Sequence, residues 1–393
     1  MDLSICTQAR HALPEDGYAG ALAARIWRPD IGPSVAAVRE DGLHDLSAAF
    51  PTMAALAAER DPATALRAAA GERICSLADA LANTPPETRA PGRPHLLAPI
   101  DLQAVKAAGV TFATSMLERV IEERARGNPD AAAAIREEVR RIIGDDLSKL
   151  QPGSPAAMAL KQVLVEQGAW SQYLEVGIGP DAEVFTKAPV LASTGTLTDA
   201  GLDPKSTWNN PEPEVVLVVA PDGRITGATL GNDVNLRDVE GRSALLLSKA
   251  KDNTASCAIG PFLRFFDTTF GLDDVRRMTV SLTVRGDDGF VLEGSSSIAQ
   301  ISRDPEDLVR QTIGKNHQYP DGFVLFLGTM FAPTQDRSEP GLGFTHHRGD
   351  LVEIAAPQLG RLVNRMRHTD ECEPWTLGIG ALMTNLARRG LLR

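Results

Sequence analysis

The sequence predicts an α+β protein whose C-terminal part is rich in strands. From Glu183 onward, short apolar segments alternate with turns; they read VFTKAPVL, EVVLVVA, ITGATLG, MTVSLTVRG, FVLEGSSSIAQI, FVLFLGTMF and LVEIAA. The GDDG turn at residues 286–289 is expected to join two of them as a hairpin. Helical tracts precede these segments, and the sequence contains neither GxGxxG nor a P-loop. This combination indicates a sandwich or a rolled barrel rather than a Rossmann sheet.

The N-terminal part is predicted to form a smaller α+β domain. Residues 21–46 indicate two or three short strands, and the alanine-rich segments 53–70 and 77–82 indicate helices. Residues 83–94, NTPPETRAPGRP, are dense in proline and polar residues and are typical of a linker. Because 393 residues is long for one compact unit, we expect one domain over residues 1–95 and a larger one over residues 96–393.

Three further helical tracts are expected to flank or cap the functional site. They cover residues 115–126, 130–143 and 155–167, where apolar or charged residues recur at helical spacing. A C-terminal helix over residues 375–392 is interpreted as a packing element.

Composition excludes several classes of protein. The chain is 43% apolar and 23% charged, which is ordinary for a soluble globular enzyme, and its net charge of -11 argues against nucleic-acid and anionic-membrane partners. Its four cysteines show no CxxC spacing, so neither a zinc site nor a disulfide framework is indicated. Neither a signal peptide nor a membrane-spanning run is found. We therefore expect a cytoplasmic protein.

Residues 209–238, NNPEPEVVLVVAPDGRITGATLGNDVNLRD, predict a metal site. Glu212 and Glu214 stand two positions apart and so share one face of a strand, while Pro213 marks a strand start or an edge. The turn at 221–223 folds the next strand back and returns Asp233 to the level of the glutamates. Three carboxylates meeting at one point favour Mg²⁺ or Mn²⁺. The alternative for such a glutamate pair alone is a solvated edge strand.

Several motifs in this order resemble the fumarylacetoacetate hydrolase (FAH) superfamily over roughly residues 97–366. They are GVTF at 109–112, VFTKAP at 184–189, EPE at 212–214, NDVNLRD at 232–238, the run from Lys251 to Pro261, GT at 328–329 and GDLVE at 349–353. The resemblance implies a mixed β-roll with surrounding helices, usually a homodimer, and a divalent ion held by Glu212, Glu214 and Asp233. It further implies that Lys187, Arg237, Lys251 and Thr329 line a substrate pocket.

Within the superfamily, the chain is most similar to the 2-keto-3-deoxypentonate dehydratases. The similarity lies in NPEPEVVLVV, in the short spacer before NDVNLRD, in KDNTASCAIGP and in Trp27-Arg28-Pro29. It implies loss of water from a 2-keto-3-deoxypentonate, derived from xylonate or arabinonate, to give 2,5-dioxopentanoate.

One position departs from the pattern of the hydrolytic members. Where these often carry a histidine three residues before a glutamate, this chain has Ser115 and Glu118. A serine without a partner is a poor base near neutral pH, whereas Glu118 can still move a proton. The departure favours lyase chemistry, with Glu118 and Lys251 as catalytic residues and Ser115 at the substrate. The alternative to a catalytic role is that Glu118 lies on a solvated face of its helix.

Two other functions stay open at this point. One is an FAH-type hydrolase that cleaves C–C bonds in an acylpyruvate or a 2,4-diketo-3-deoxy sugar acid. The other is a non-enzymatic module that binds a keto acid. We expect a homodimer or homotetramer whose partner is a small 2-keto acid.

Overall fold

A computed structural model describes residues 2–125, 150–166, 170–331, 333, 335–337 and 343–392. The helix expected over residues 130–143 lies outside the described residues. The strands are, in chain order, β1 Ala21–Arg28, β2 Gly32–Arg39, β3 Gly42–Asp45, β4 Glu72–Cys75, β5 His95–Leu97, β6 Ala104–Gly109, β7 Glu183–Ala188, β8 Thr198–Leu202, β9 Asn209–Asn210, β10 Pro213–Val219, β11 Ile225–Asp233, β12 Asn235–Leu236, β13 Cys257–Phe265, β14 Thr279–Arg285, β15 Val291–Ser297, β16 Phe323–Phe326, β17 Leu351–Ala356 and β18 Gly360–His368.

The α-helices are short and connect or cover the strands. They are α1 Ala9–Ala12, α2 Met53–Ala57, α3 Pro62–Ala68, α4 Leu77–Ala82, α5 Ala113–Ala125, α6 Pro155–Glu166, α7 Gln172–Ile178, α8 Arg237–Glu240, α9 Leu247–Lys251, α10 Leu272–Arg277, α11 Pro305–Thr312 and α12 Ile379–Arg388. Residues 53–70 form two helices rather than one, because Asp61 caps a new helix that begins at Pro62. Among the described residues, no helix combines the length and the apolar character that crossing a bilayer requires.

Two mixed sheets form the body, which confirms the predicted α+β class. The larger follows the order β4-β3-β2-β1-β13-β11-β10-β16-β6-β7, with β5 also paired to β1. The smaller follows β15-β14-β17-β18-β8, and β9 pairs with β12 separately. Most pairs are antiparallel, while β16–β6 and β18–β8 are parallel. The expected hairpin at residues 286–289 joins β14 to β15.

Strand β10, which carries the predicted ligand Glu214, is buried on both faces. Val215, Leu217 and Val219 point into the core cluster that also contains Leu282 of β14 and Ile354 of β17. This explains why residues 215–220 form an unbroken apolar run instead of an alternating one. The other face of β10, with Val216 and Val218, belongs to a second cluster that includes residues of α2 and α3.

The N-terminal strands continue the larger sheet. The first half of β1 pairs with β13 from Ala21 opposite Phe265, and its second half pairs with β5 from Arg25 opposite Leu97. Residues 1–95 therefore share backbone hydrogen bonds with the later part of the chain. The division between residues 95 and 96 stays a prediction.

Candidate metal centre

The hairpin of β10 and β11 brings the three predicted carboxylates together. Gly223 takes a φ of +87° in the turn, where glycine avoids the strain of a side chain. The register then sets Pro213 opposite Asn232, and the Asp233 amide donates to the Glu212 carbonyl at 3.1 Å. One carboxylate oxygen each from Glu212, Glu214 and Asp233 lies within 4.8 Å of the others. The alternative of a solvated edge is excluded, because β10 runs between β11 and β16 and all three residues are buried.

Three basic side chains surround these carboxylates. The Lys251 ammonium lies 2.5 Å from Glu212 Oε2 and 2.9 Å from Asp233 Oδ2. The Lys187 ammonium lies 2.8 Å from Asp233 Oδ1 and donates to the Val234 carbonyl at 3.1 Å. The Lys187 side chain is fully buried and does not reach the protein surface. These cations offset part of the cost of burying three acids.

A guanidinium from α5 completes the cationic set. Arg119 Nη2 lies 2.5 Å from Glu212 Oε1, and Arg119 Nη1 lies 2.9 Å from Glu240 Oε2. Sequence reasoning missed Arg119, because helical spacing alone does not show which position of a charged helix faces a site.

Burial and these charges separate the acidities of the three carboxyl groups. Burial raises the pKa of Glu212 and Glu214, and the negative charges of Asp233 and Glu212 raise the pKa of Glu214 further. Burial also acts on Asp233, but Lys187 and Lys251 outweigh it and leave the pKa of Asp233 below its usual range. Burial lowers the pKa of Lys251, yet Asp233 and Glu212 raise it on balance, so its ammonium stays charged. The donor set of three oxygens suits a hard divalent cation.

A cleft opens over the carboxylates. It is lined by Ala108, Gly109, Val110, Arg119, Glu183, Phe185, Asn210, Glu212, Glu214, Asp233, Arg237, Glu240, Lys251, Gly328, Thr329 and Phe331. The loop after β16 contributes Gly328, whose N–H donates to Glu214 Oε2 at 2.6 Å. A Cβ on Gly328 would come within 2.1 Å of Thr111 Oγ1, so glycine permits this close backbone approach.

Glu183, at the start of β7, is an acidic residue of the cleft that sequence reasoning missed. It pairs with Gly109 of β6, where a Cβ would lie only 2.1 Å from Glu183 Oε2. Burial, with the nearby charge of Glu240, raises the pKa of Glu183 to about 7. Glu183 directly precedes the VFTKAP motif, but only the β6–β7 pairing shows that it faces the cleft.

The remaining predicted residues divide into two groups. Arg237 and Thr329 line the cleft. The Arg237 guanidinium stacks over the Trp208 ring at 4.2 Å, and the neighbouring Asp238 carboxylate accepts hydrogen bonds from Ser206 and Thr207. Ser115 and Glu118 lie on α5, but their side chains are outside the described part of the structure. Their roles therefore stay predictions.

Comparison with known families finds a match over the C-terminal half of the chain. Residues 218–367 match the family model described as "Fumarylacetoacetate (FAA) hydrolase C-terminal". The similarity to this domain covers 150 of the 393 residues. The matched residues include Asp233 and Lys251, whereas Glu212 and Glu214 lie just before the first matched residue.

Two curated relatives share part of the sequence. Over 192 residues the chain is 29% identical to the "Probable 2-keto-3-deoxyxylonate dehydratase" of Haloferax volcanii, covering 49% of this chain and 62% of that protein. Over 185 residues it is 28% identical to the "2-dehydro-3-deoxy-D-arabinonate dehydratase" of Saccharolobus solfataricus, covering 47% and 58%. The chain thus spans about three-fifths of the length of either relative.

A solved structure shares the fold. It is a "2-keto-3-deoxy-D-arabinonate dehydratase complexed with magnesium and 2,5-dioxopentanoate", with a TM-score of 0.61, 19% identity, and coverage of 88% of this chain and 99% of that one. The similarity confirms the predicted FAH-type α+β fold.

Proposed function

We propose that this protein is a divalent-metal-dependent dehydratase of a 2-keto-3-deoxypentonate, with 2,5-dioxopentanoate as its product. The observation that carries the proposal is the convergence of Glu212, Glu214 and Asp233 at the floor of a cleft. The names of the two curated relatives and of the related magnesium complex support the choice of reaction.

The cleft combines a cation site with groups that bind anions and move protons. When held by the three carboxylates, Mg²⁺ or Mn²⁺ supplies Lewis-acid polarisation of a 2-keto acid and so acidifies its C3 protons. Elimination then removes a C3 proton and the C4 hydroxyl, which leave together as water. A proton next leaves C5 and another adds at C3, and the resulting enol loses its O–H proton and gains one at C4 to give the C5 aldehyde. The protein has to bind a carboxylate and to accept and donate a proton in each of these steps.

Lys251 is proposed to hold the ligands and stabilise negative charge. Its ammonium contacts Glu212 and Asp233 together, so it fixes the orientation of both carboxylates. Because it also lines the cleft, it offers a permanent positive charge where the substrate becomes enolate-like. Arg237, fixed against Trp208, and Thr329 are proposed to bind the substrate carboxylate and hydroxyl groups.

Glu183 is proposed to share the proton transfers with Glu118. A carboxyl group whose pKa is about 7 exists in both protonation states near neutral pH, which suits an acid that protonates the leaving C4 hydroxyl. Glu183 lines the cleft beside the carboxylate cluster. We expect Glu183→Gln and Glu118→Gln each to leave Mg²⁺ binding near normal. The variant that lacks the true acid or base should lose about 10²–10⁴-fold in kcat, and an unchanged kcat would remove that residue from the mechanism.

A substrate comparison tests the proposal. Chelator-treated protein is reloaded with Mg²⁺ and supplied with 2-keto-3-deoxypentonate, with aldehyde formation as the readout, and in parallel with an acylpyruvate, with pyruvate as the readout. Aldehyde from the first substrate alone supports the dehydratase. Pyruvate from the second substrate alone would support the hydrolase instead of the dehydratase. If neither product forms, the non-enzymatic binding module is the remaining function.

Glu214→Gln tests the metal site itself. We expect the variant to fold, because glutamine can still accept from the Gly328 N–H, but to lose Mg²⁺ binding in calorimetry and all metal-dependent turnover. Glu293→Gln, on an exposed position of β15, is the control and should match the natural protein. Full Mg²⁺ affinity in Glu214→Gln would remove the ligand assignment.

A further inference from the structure

A second groove lies over the paired strands β1 and β5, and it shares no lining residue with the metal cleft. Arg25 and Trp27 project from one face of β1, and their strand partners Leu97 and His95 project beside them. The opposite face, with Ile26 and Leu96, packs into the core. Loops at residues 191–198, 254–255 and 373–377 form the walls of the groove.

The floor of the groove carries a buried guanidinium whose charge lacks a bonded counter-ion. Arg25 is only 5% exposed, and its Nη1 donates to the Ile100 carbonyl at 3.2 Å. Its Nη2 has no hydrogen-bond partner among the described residues. The nearby carboxylate of Asp101 instead accepts from the backbone N–H groups of Met53 at 2.6 Å and Ala54 at 3.0 Å. Burying a guanidinium whose N–H donor has no acceptor destabilises the folded state unless an anion pairs with it.

A histidine supplies a second open nitrogen on the same face. The ring of His95 stacks on Trp27 at 6.4 Å between centroids, and its Nδ1 is buried without a partner. Burial, with the charge of Arg89, lowers the pKa of His95 to about 4. The imidazole is therefore neutral at pH 7, and its Nδ1 can carry the proton and donate it.

The other charges of the groove are already paired. Arg89 Nη1 lies 2.8 Å from both carboxylate oxygens of Glu373, and Arg89 Nε donates to the Thr84 carbonyl at 3.2 Å. Glu373 is thus neutralised by its own partner and does not compensate Arg25. At the rim, Trp375 leaves about half of its surface exposed, at 49%, and offers an apolar wall.

We infer that this groove is a binding site for a small oxyanion of the carboxylate or phosphate type. The anion would accept from Arg25 Nη2 and His95 Nδ1, between the aromatic surfaces of Trp27 and Trp375. Such an anion would accept hydrogen bonds from two buried donors. It would also neutralise the positive charge of Arg25, to which Asp101 forms no hydrogen bond. This site is independent of the proposed dehydratase function.

Anion titration of the metal-free protein tests the site. Calorimetry and thermal unfolding with inorganic phosphate, and separately with acetate, at constant ionic strength should show saturable binding and a rise in Tm for at least one ion. Binding of phosphate alone or of acetate alone identifies which anion the groove selects. Absence of saturable binding for both ions overturns the proposal.

Two variants locate the bound anion. Arg25→Gln should abolish the binding, and His95→Phe, which keeps a ring on Trp27 but lacks Nδ1, should weaken it about tenfold. Arg310→Gln, at a side chain that is 68% exposed on α11, is the control and should bind as the natural protein does. If Arg25→Gln does not fold, His95→Phe decides alone. Unchanged affinity in His95→Phe, or binding lost in Glu214→Gln instead, contradicts the groove as the site.

Discussion

At the residue scale, the candidate metal centre is a balance of buried charges. The carboxylates of Glu212, Glu214 and Asp233 converge. Lys187 and Lys251 contact Asp233, and Lys251 and Arg119 contact Glu212. The lysines are buried and bound to backbone or ligand oxygens, so they belong to the permanent framework. Arg119 instead contacts Glu212 Oε1, the oxygen of this carboxylate that Lys251 does not contact. It is thus the one of these three basic groups best placed to compete with a metal.

The first residue-scale prediction concerns Arg119→Gln. We expect the metal-free variant to bind Mg²⁺ about tenfold more tightly, because one charge-assisted contact to Glu212 no longer has to be displaced. Calorimetric titration with Mg²⁺ measures this directly. Weaker binding would show instead that Arg119 orients Glu212 for the metal.

The second residue-scale prediction concerns the pH dependence of stability through Glu183. Its folded-state pKa of about 7 lies above the ordinary value of 4.5, so the folded state keeps this proton longer than the unfolded state does. The stability contributed by protonated Glu183 is full below about pH 4.5 and declines as pH rises towards 7. Denaturant unfolding of metal-free protein across this range should therefore show a shallower pH slope in Glu183→Gln. Identical slopes would contradict the raised pKa.

At the element scale, the β10–β11 hairpin sets the geometry of the site. Glu212 precedes β10, Glu214 lies within it and Asp233 ends β11, so their separation depends on the register of this pair. Gly231 stands opposite Glu214, and it is packed under the ring of Phe326 from β16. The absence of a side chain at Gly231 lets three neighbouring strands close over the site.

Gly231→Ala tests this packing. A Cβ there would lie 2.2 Å from Phe326 Cε1 and 2.6 Å from Val216 Cγ2, so side chains or strands must shift. We expect a loss of about 1–3 kcal/mol in the free energy of unfolding, the usual cost of overpacking, together with weaker Mg²⁺ binding. Gly314→Ala, where a Cβ meets nothing within 4 Å, is the control. Equal stability of the two variants would contradict the tight packing.

At the scale of the whole molecule, the larger sheet joins the N-terminal strands to the strands of the candidate site. Strand β1 pairs with β13, and β13 pairs with β11, the strand that ends at Asp233. The N-terminal part of the chain therefore lies two strands from the candidate metal centre. Core residues of α2 and α3 pack in the same cluster as Val216 and Ile259. The expected homodimer or homotetramer and the cytoplasmic location stay predictions.

Deletion of residues 1–95 tests the predicted domain division. The remaining chain would expose one edge of β13 and the apolar surface beneath α2 and α3. We therefore expect it to be unstable and to lose cooperative thermal unfolding. A truncated chain that unfolds cooperatively and still binds Mg²⁺ would instead confirm two independently stable units.

Much of the site was predictable because its signals are local. Two glutamates around Pro213 and an aspartate after a turn are close in sequence, and strand periodicity with hairpin geometry brings them together. Lys187, Arg237, Lys251 and Thr329 came from the family resemblance, and the structure finds Lys187 at Asp233 and the other three in the cleft wall. Glu183 and Arg119 were missed, since each reaches the site through a contact that no local pattern encodes.

The sequence alone predicts an α+β chain with a hard-cation site on one hairpin, because periodicity, turns and carboxylate spacing act over a few residues. Its tertiary structure alone decides that the N-terminal strands extend the same sheet, that Lys187 is buried against Asp233, and that the carboxyl of Glu183 has a raised pKa. These features depend on strand order and on burial. Both arise from contacts between segments that are far apart along the chain.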